Sequence, residues 1–246
     1  MKYTSCLGLV CAVLLFAPLA GASCASNQYD MARWIQMSPW LASSKHLVGN
    51  ANPLYYSDRN YDSPNEIVQM KGSPGFPWDV DVETSSYIYQ WATENVWTDP
   101  TTYKAFATKF TMPWMPRCIT QPSTPGKLSS ITVPNPSYSV YGSNCTLQST
   151  KNLGNTVNEV WGPYSGNFGG NLPDPTTYLE LAYRYSCDVN YNNCTYKETF
   201  DWVKNYGLVR WTYYILQNGV YVQKQQNYFN TLAAGGAPTP DTPCFN

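Results

Sequence analysis

The sequence contains little charge. Only 13% of its 246 residues are Asp, Glu, Lys or Arg, and the formal net charge is -1, whereas ordinary soluble domains have about 25% charged residues. A nearly neutral chain produces no long-range field to attract nucleic acid or an anionic membrane. The basic patch that nucleic-acid-binding proteins present is also missing. We therefore expect no nucleic-acid partner.

Histidine and long apolar segments are also scarce. His46 is the only histidine, which excludes a zinc site built on two histidines. No Gly-x-Ser-x-Gly motif is present to suggest a serine hydrolase. After residue 25 no apolar run approaches the roughly 20 residues that span a bilayer as a helix. We expect no cofactor and no membrane span.

The first 22 residues have the three parts of a secretory signal peptide. Lys2 gives a positive start, Leu7–Ala17 is an unbroken apolar run, and Ala20, Gly21 and Ala22 supply small residues for cleavage. The apolar run is shorter than the roughly 20 residues that span a bilayer. We predict cleavage after Ala22, a secreted or periplasmic protein, and a single β-rich domain over residues 23–246.

Export determines how many cysteines remain and favours disulfides among them. Cys6 and Cys11 leave with the signal, and six remain: Cys24, Cys118, Cys145, Cys187, Cys194 and Cys244. An even number in an oxidising compartment predicts disulfides, although the sequence alone does not fix the pairing. Cys187–Cys194 is the closest pair, which leaves Cys118–Cys145 and Cys24–Cys244. A lipid anchor on Cys24 is the alternative, disfavoured because Gly21, Ala22 and Ser23 lack the usual large aliphatic residue.

The pattern after residue 80 predicts strands. Val209, Trp211, Tyr213 and Ile215 alternate with other residues up to Asn218-Gly219, a preferred two-residue hairpin turn. Short strand-like runs without long amphipathic helices predict an antiparallel β-sandwich or jelly roll, stapled by disulfides and with long Pro/Gly/Ser-rich loops. We predict that those four side chains share a buried face. Residues 113–137 are expected to form a surface loop that Cys118 holds through a disulfide. Short helices are predicted within residues 29–37 and 101–109.

Aromatic residues are abundant, with 21 Tyr, 9 Trp and 8 Phe. Tyr and Trp fill β cores, and they also make flat amphipathic contacts at surfaces. Sugar rings present C–H faces that pack on aromatic rings, and a nearly neutral surface suits an uncharged ligand. The leading hypothesis is a secreted, non-enzymatic carbohydrate-binding domain. Its candidate ligand-binding residues are Trp78, Tyr87, Tyr89, Trp91, Trp97, Trp161 and Tyr164.

Carboxylates provide two alternative functions. Glu94, Glu159 and Glu180 lie among aromatic residues, and two facing carboxylates would suit a polysaccharide-degrading glycoside hydrolase. Asp188, Asn190 and Asn192 place oxygen side chains at alternate positions, like the opening of a calcium loop, but the following glycine is missing. We therefore expect no metal there and favour a turn closed by Cys187–Cys194. A structural cell-envelope protein without a small ligand is a further alternative.

Four stretches carry a resemblance to known proteins. They are Gly75–Val80 (GFPWDV), Ser85–Glu94 (SSYIYQWATE), Trp161–Tyr164 (WGPY) and Tyr206–Trp211 (YGLVRW). They resemble an uncharacterised family of small secreted bacterial proteins, over roughly residues 46–244. The resemblance implies an exported, predominantly β protein of bacterial origin, and it implies no activity and no functional residue.

Overall fold

The computed structural model describes residues 24–35, 45–48, 52–60, 67–73, 76–94, 102–142, 144–229 and 231–233. The predicted signal peptide and Cys244 lie outside these ranges. The elements, in chain order, are β1 (Gln28–Asp30), α1 (Ala32–Ile35), β2 (Lys45–Val48), β3 (Asn52–Asn60), β4 (Ile67–Ser73), β5 (Phe76–Glu83), β6 (Tyr87–Glu94), β7 (Thr102–Phe106), β8 (Met112–Pro116), β9 (Cys118–Thr120), β10 (Gly126–Val133), β11 (Ser137–Gly142), β12 (Leu147–Asn152), β13 (Asn155–Gly166), β14 (Thr176–Cys187), β15 (Cys194–Val203), β16 (Gly207–Gln217), β17 (Val220–Tyr228) and β18 (Thr231–Ala233).

The strands form two large antiparallel sheets. One has six strands in the order β10-β13-β14-β15-β16-β17, and the other runs β12-β11-β7-β6-β5-β4-β3-β2-β18, with β8 also paired to β6. β1 and β9 form a small third sheet. The predicted mostly-β sandwich is confirmed. Within the described residues no helix has the length and apolar character needed to cross a membrane.

The main core lies where the inner faces of the two large sheets meet. The six-stranded sheet contributes alternate residues of its long central strands, such as Leu179 and Leu181 on β14 and Phe200 and Trp202 on β15. The other sheet contributes Ile88 of β6 together with neighbouring β7 and β8 side chains. Because successive residues of a strand point to opposite faces, each strand also presents a second set of side chains away from this core.

The hairpin predicted at Asn218-Gly219 is confirmed. β16 and β17 pair directly across it, and both turn residues have the positive φ angles (51° and 78°) that this turn requires. The predicted shared, buried face is wrong in two respects: Trp211, Tyr213 and Ile215 are only partly buried, and Val209 is not on their face. Arg210 pairs with Asp201 and Leu208 with Trp202, so Val209 is an extra residue in a β-bulge. It packs in a separate cluster with Phe168, Leu172 and Val203.

Two further local predictions are wrong. Residues 102–106, expected to be helical, form β7, because pairing with β11 satisfies their backbone groups in the sheet. Most of residues 113–137, expected to be a surface loop, belongs to β8, β9 and β10, and Trp114 and Met115 are fully buried. Tertiary pairing outweighs local proline and serine content in this region. The predicted short helix near residues 29–37 is present as α1.

The disulfide predictions are confirmed in one case and wrong in the others. Cys187–Cys194 forms as predicted, at directly opposed positions of β14 and β15. Cys118 bonds to Cys24 instead of Cys145, because β1 pairs with β9 and brings the N-terminal segment beside Cys118. The predicted Cys24–Cys244 pair is excluded by the same bond. Since the Cys24 sulfur is in a disulfide, it is not available for a lipid. Cys145 is also disulfide-bonded.

Candidate functional site

The predicted ligand-binding aromatics lie in two separate places. Tyr87, Tyr89 and Trp91 are on β6 of the larger sheet, and Trp161 and Tyr164 are on β13 of the six-stranded sheet. Trp78 lies in β5, but its side chain is outside the described part of the structure, as is residue Trp97. The described members of the predicted set are therefore not gathered into one site.

Tyr87 and Tyr89 form a surface cluster with Phe110, and we call these three residues the exposed triad. The Tyr87 and Tyr89 ring centroids are 6.0 Å apart, and those of Tyr89 and Phe110 are 5.3 Å apart. Tyr87 is 39% exposed and Phe110 43% exposed. Ile88, between the two tyrosines, is buried in the main core, so the tyrosines project from the opposite, outer face of this sheet. Tyr89 is half-buried and packs against the buried side chains of Val80, Val82, Ala92 and Ala105, so the rings of Tyr87 and Phe110 are the exposed part of the triad.

Threonine side chains fix the turns that present these rings. The Thr84 hydroxyl donates to the Tyr87 carbonyl at 2.9 Å and accepts from the Tyr87 N–H at 3.0 Å. In the turn before β8, the Thr108 hydroxyl accepts from the Phe110 N–H at 3.2 Å, and the Thr111 hydroxyl accepts from the Thr108 N–H at 2.9 Å. These local bonds fix the backbone at Tyr87 and Phe110 before any ligand arrives, which lowers the entropy lost on binding.

The other predicted residues share the outer face of the six-stranded sheet. Trp161 and Glu180 are directly opposed on β13 and β14. Glu159 is two residues before Trp161 on β13 and therefore lies on the same face. Glu159 is ion-paired with Arg184 at 2.9 Å and with Lys127 at 3.4 Å. Two of the three carboxylates predicted for a hydrolase are therefore neighbours on one sheet face. Glu94 lies in β6 of the other sheet, and its side chain is not described.

Glu180 has a second carboxyl neighbour, Asp201, directly opposite on β15. Asp201 is fully buried and accepts from the Arg210 Nε at 2.5 Å. Burial raises the pKa of Asp201 to about 7 against the opposing effect of Arg210, and burial also raises the pKa of Glu180. Arg210 in turn lies over the rings of Phe168 and Tyr178. The charged side chains of this outer face are paired, and the Arg210 side chain covers two of its aromatic rings.

The inner face of the same sheet carries an aromatic cluster that the sequence analysis missed. We call Tyr185, Tyr196, Tyr213 and Trp211 the aromatic row. Centroid distances along it are 5.1 Å (Tyr185–Tyr196), 6.3 Å (Tyr196–Tyr213) and 6.3 Å (Tyr213–Trp211), with the planes within 28° of parallel. All four side chains are partly exposed. The row crosses β14, β15 and β16.

Glu198 lies among the side chains of the row. Its Oε2 accepts from the Trp211 Nε1 at 2.7 Å and its Oε1 accepts from the Tyr185 hydroxyl at 3.1 Å. Burial raises the pKa of Glu198, and these two hydrogen bonds oppose the increase. Burial and the neighbouring Glu198 charge also raise the pKa of the Tyr185 hydroxyl far above its usual value. The carboxylate is held in one position by donors from two strands.

Alternation within neighbouring strands is the signal that would have identified this row. Tyr183 and Tyr185 are two residues apart on β14, as are Tyr196 and Glu198 on β15 and Trp211 and Tyr213 on β16. Side chains two residues apart share a face of a strand. The register then brings the three strands together, and that long-range information is absent from the local pattern.

The calcium-like segment is a closed turn. Asp188 Oδ1 accepts from the N–H groups of Asn190 and Asn192, at 3.1 and 3.0 Å, and Oδ2 accepts from the Asn193 side chain at 2.9 Å. These bonds lower the pKa of Asp188. Its oxygens therefore organise the loop between Cys187 and Cys194. Within the described ranges, no three His, Cys, Asp or Glu side chains are grouped so as to hold a metal ion.

No family model, curated protein or solved structure matches this chain significantly.

Proposed function

We propose that the protein is a secreted carbohydrate-binding domain that contacts its ligand through the exposed triad. The observation that supports this proposal best is that two exposed rings, Tyr87 on β6 and Phe110 in the turn before β8, lie on either side of the half-buried ring of Tyr89. Tyr87 and Phe110 leave 39% and 43% of their surfaces in water, and contact with the apolar face of a ligand would remove that area from water. Sugar rings offer C–H faces of matching size and low charge.

The residues around the triad suit an uncharged, hydroxyl-rich ligand. Ser85, Ser86 and Thr108 are exposed in the two turns beside the rings, and each hydroxyl can donate or accept a hydrogen bond. Pro113 and Pro116 lie opposite Tyr89 and Tyr87 in the β6–β8 ladder and extend the apolar surface. Lys109 places a positive charge beside the triad, with its Nζ 5.3 Å from the Phe110 ring centre.

A binding role is supported over the alternative of glycoside hydrolysis. A hydrolase needs one carboxyl to donate a proton and another to act as base or nucleophile at the same sugar bond. Glu159 is instead engaged by Arg184 and Lys127, and Asp201 is buried beside Arg210. Glu159 and Glu180 lie side by side on one sheet face and do not face each other across a groove.

Export is part of the proposal. The N-terminal pattern of a signal peptide and the disulfides Cys24–Cys118 and Cys187–Cys194 support it, because disulfides persist in oxidising compartments. Amino-terminal sequencing of protein recovered from the medium or periplasm should give Ser23 as the first residue. Retention of Met1 in the recovered protein would contradict export by cleavage.

The binding test is a pull-down on insoluble cellulose, chitin, xylan and mannan. Wild-type protein should sediment with at least one of these, and Phe110→Ala should remain largely in solution. Leu147→Ala is the matched control, because Leu147 is 55% exposed on β12, outside the triad. Failure of the wild type to bind any of the polysaccharides would contradict the proposal, as would equal retention of Phe110→Ala and Leu147→Ala.

A further inference from the structure

The outer face of the six-stranded sheet carries more positive than negative charge. Directly opposed residues share a face, and the ladders from β10 to β16 therefore place four cations and three carboxylates there. The cations are Lys127, Arg184, Lys197 and Arg210, and the carboxylates are Glu159, Glu180 and Asp201. Arg210 is ion-paired with Asp201. Glu159 is shared by Arg184 and Lys127, so its single charge balances only one of them.

The unbalanced charge lies where Arg184 of β14 and Lys197 of β15 are directly opposed. Like charges at directly opposed positions of antiparallel strands destabilise the pair. The Lys197 Nζ lies over two aromatic rings, 5.2 Å from the centre of Tyr214 and 5.8 Å from that of Tyr221. Its charge lowers the pKa of Glu180 against the larger effect of burial. Within the part of the chain that the structure describes, however, no carboxylate is at ion-pair distance from Lys197.

Arg184 has a donor without an acceptor. A terminal nitrogen of its guanidinium pairs with Glu159 at 2.9 Å, whereas Nε is buried and has no hydrogen-bond partner among the described residues. A buried N–H without an acceptor keeps its desolvation penalty. The Arg184 side chain as a whole is 21% exposed and Lys197 is half-buried, so both side chains reach the solvent-facing surface of the sheet. An anionic group bound there would supply an acceptor to both.

Neutral polar and aromatic groups continue this row of opposed residues on either side. Tyr214 directly opposes Lys197, and Gln223 directly opposes Tyr214 at the β17 edge. In the other direction, Thr132 of β10 is in line with Arg184 across β13. Gln223 and Thr132 are exposed, and their amide and hydroxyl groups can both donate and accept hydrogen bonds. The row suits a polar chain that carries a charged group at its middle.

We infer that Arg184 and Lys197 form an anion site for an acidic polysaccharide, which lies along this row on the outer face of the six-stranded sheet. The excess of one positive charge suits a monoanionic group, either a uronate carboxylate or a sulfate ester. This group accepts hydrogen bonds from the Lys197 ammonium and the Arg184 Nε–H. Sugar hydroxyls exchange hydrogen bonds with Thr132 and Gln223.

This inference extends the proposed carbohydrate function to a second surface and to a charged class of ligand. The exposed triad lies on the outer face of the other sheet, and its three side chains carry no charge. Attraction between exposed charges is screened by salt. Binding at the anion site should therefore weaken as salt is added, whereas binding through the rings of the triad should not.

The test is isothermal titration with soluble polymers in matched charged and neutral forms: polygalacturonate with its methyl ester, and dextran sulfate with dextran. Wild type should bind at least one charged form about tenfold more tightly than its neutral form, and added sodium chloride should weaken this binding. Lys197→Gln should weaken it about tenfold, as expected for losing one charge-assisted hydrogen bond. Lys151→Gln is the matched control, because it removes the same charge from an exposed position on β12 of the other sheet. Thermal melts should show that both variants are folded.

The outcomes separate the two proposals. Equal affinity for the charged and neutral forms, or equal affinity of Lys197→Gln and Lys151→Gln for the charged form, would overturn the inference. Equally tight binding of poly-glutamate, or of free acetate or sulfate, would overturn the assignment of the ligand as an acidic polysaccharide. Binding of an acidic polymer without sedimentation on any insoluble polysaccharide would support the anion site and contradict the function proposed for the triad. Sedimentation without binding of an acidic polymer would do the reverse.

Discussion

The exposed triad and the aromatic row use the same residue types in opposite environments. The triad projects from the outer face of the larger sheet and is held by turn hydrogen bonds beside it. The row lies on the inner face of the six-stranded sheet, where rings contact each other and two of them hold Glu198. Abundance of aromatics therefore predicts neither core nor ligand site. The face and the neighbours of each ring decide between packing and recognition.

The largest expected difference between the two regions is in stability. Trp202 continues the inner face of β15 beyond the row, is fully buried, and packs near the rings of Phe200 and Trp114. Trp202→Ala should lower the free energy of unfolding by about 3–5 kcal/mol, because it leaves a large cavity. Urea unfolding measures this directly. A loss below about 1 kcal/mol would mean that the inner face does not pack as described.

The next effect concerns the carboxylate of the row. Glu198→Leu leaves the Trp211 N–H and the Tyr185 hydroxyl without their acceptor. Because partly buried donors that lose their acceptor keep much of their desolvation penalty, the free energy of unfolding should fall by about 1–3 kcal/mol. The double variant Glu198→Leu/Trp211→Phe should recover part of this loss, since it removes one orphaned donor. A neutral single variant would show that these hydrogen bonds are not formed.

A third prediction uses pH to separate the regions. Burial raises the pKa of Asp201 from 3.8 to about 7, and it raises those of Glu180 and Glu198. At pH values between the ordinary pKa of each carboxyl group and its raised pKa, the folded protein keeps a proton that the unfolded chain has released. The free energy of unfolding should therefore fall as the pH rises from about 4 to 7. The lowered pKa of Asp188 opposes this only at the acid end.

Melting temperatures of wild type and Asp201→Asn across this pH range provide the measurement. The variant should show a weaker pH dependence, because its side chain has no proton to lose. The triad contains no carboxyl group, so polymer binding by folded protein should stay constant over the same range. Stability that rises between pH 4 and 7, or identical slopes for the two proteins, would contradict the assigned burial of Asp201.

The smallest stability effect should come from the triad. Tyr87→Ala and Phe110→Ala each remove a ring that is more than one-third exposed. Surface substitutions away from special features usually change stability by less than about 0.5 kcal/mol, so their melting temperatures should stay close to that of wild type. A loss comparable with that of Trp202→Ala would place these rings in the core and remove the basis for a ligand surface.

Local patterns in the sequence predicted the strands and the final hairpin, because alternation and the Asn218-Gly219 turn are properties of neighbouring residues. They also predicted Cys187–Cys194, whose partners are seven residues apart. They failed where distant segments meet. Cys24–Cys118 depends on β1 pairing with β9 across 94 residues. The bulge at Val209 depends on the partner strand, and tertiary pairing overrode the expected helix at residues 101–109.

In the candidate sites, too, local patterns predicted some residues, and contacts between distant strands determined the others. Tyr87 and Tyr89 were predicted because aromatic alternation on β6 is visible locally. Phe110 was missed because it reaches them from a turn over 20 positions later. Glu198 was missed because its partners Tyr185 and Trp211 come from the two flanking strands. Sequence reasoning predicted the kinds of residues involved, and strand register determined which of them meet.

Carbohydrate binding through the exposed triad can be tested with a binding isotherm for the double variant Tyr87→Ala/Phe110→Ala on the polysaccharide that retains the wild type best. We expect that the wild type binds saturably, that the double variant binds at least about tenfold more weakly, and that both proteins melt at nearly the same temperature. Unchanged affinity in a folded double variant would contradict carbohydrate binding through the exposed triad.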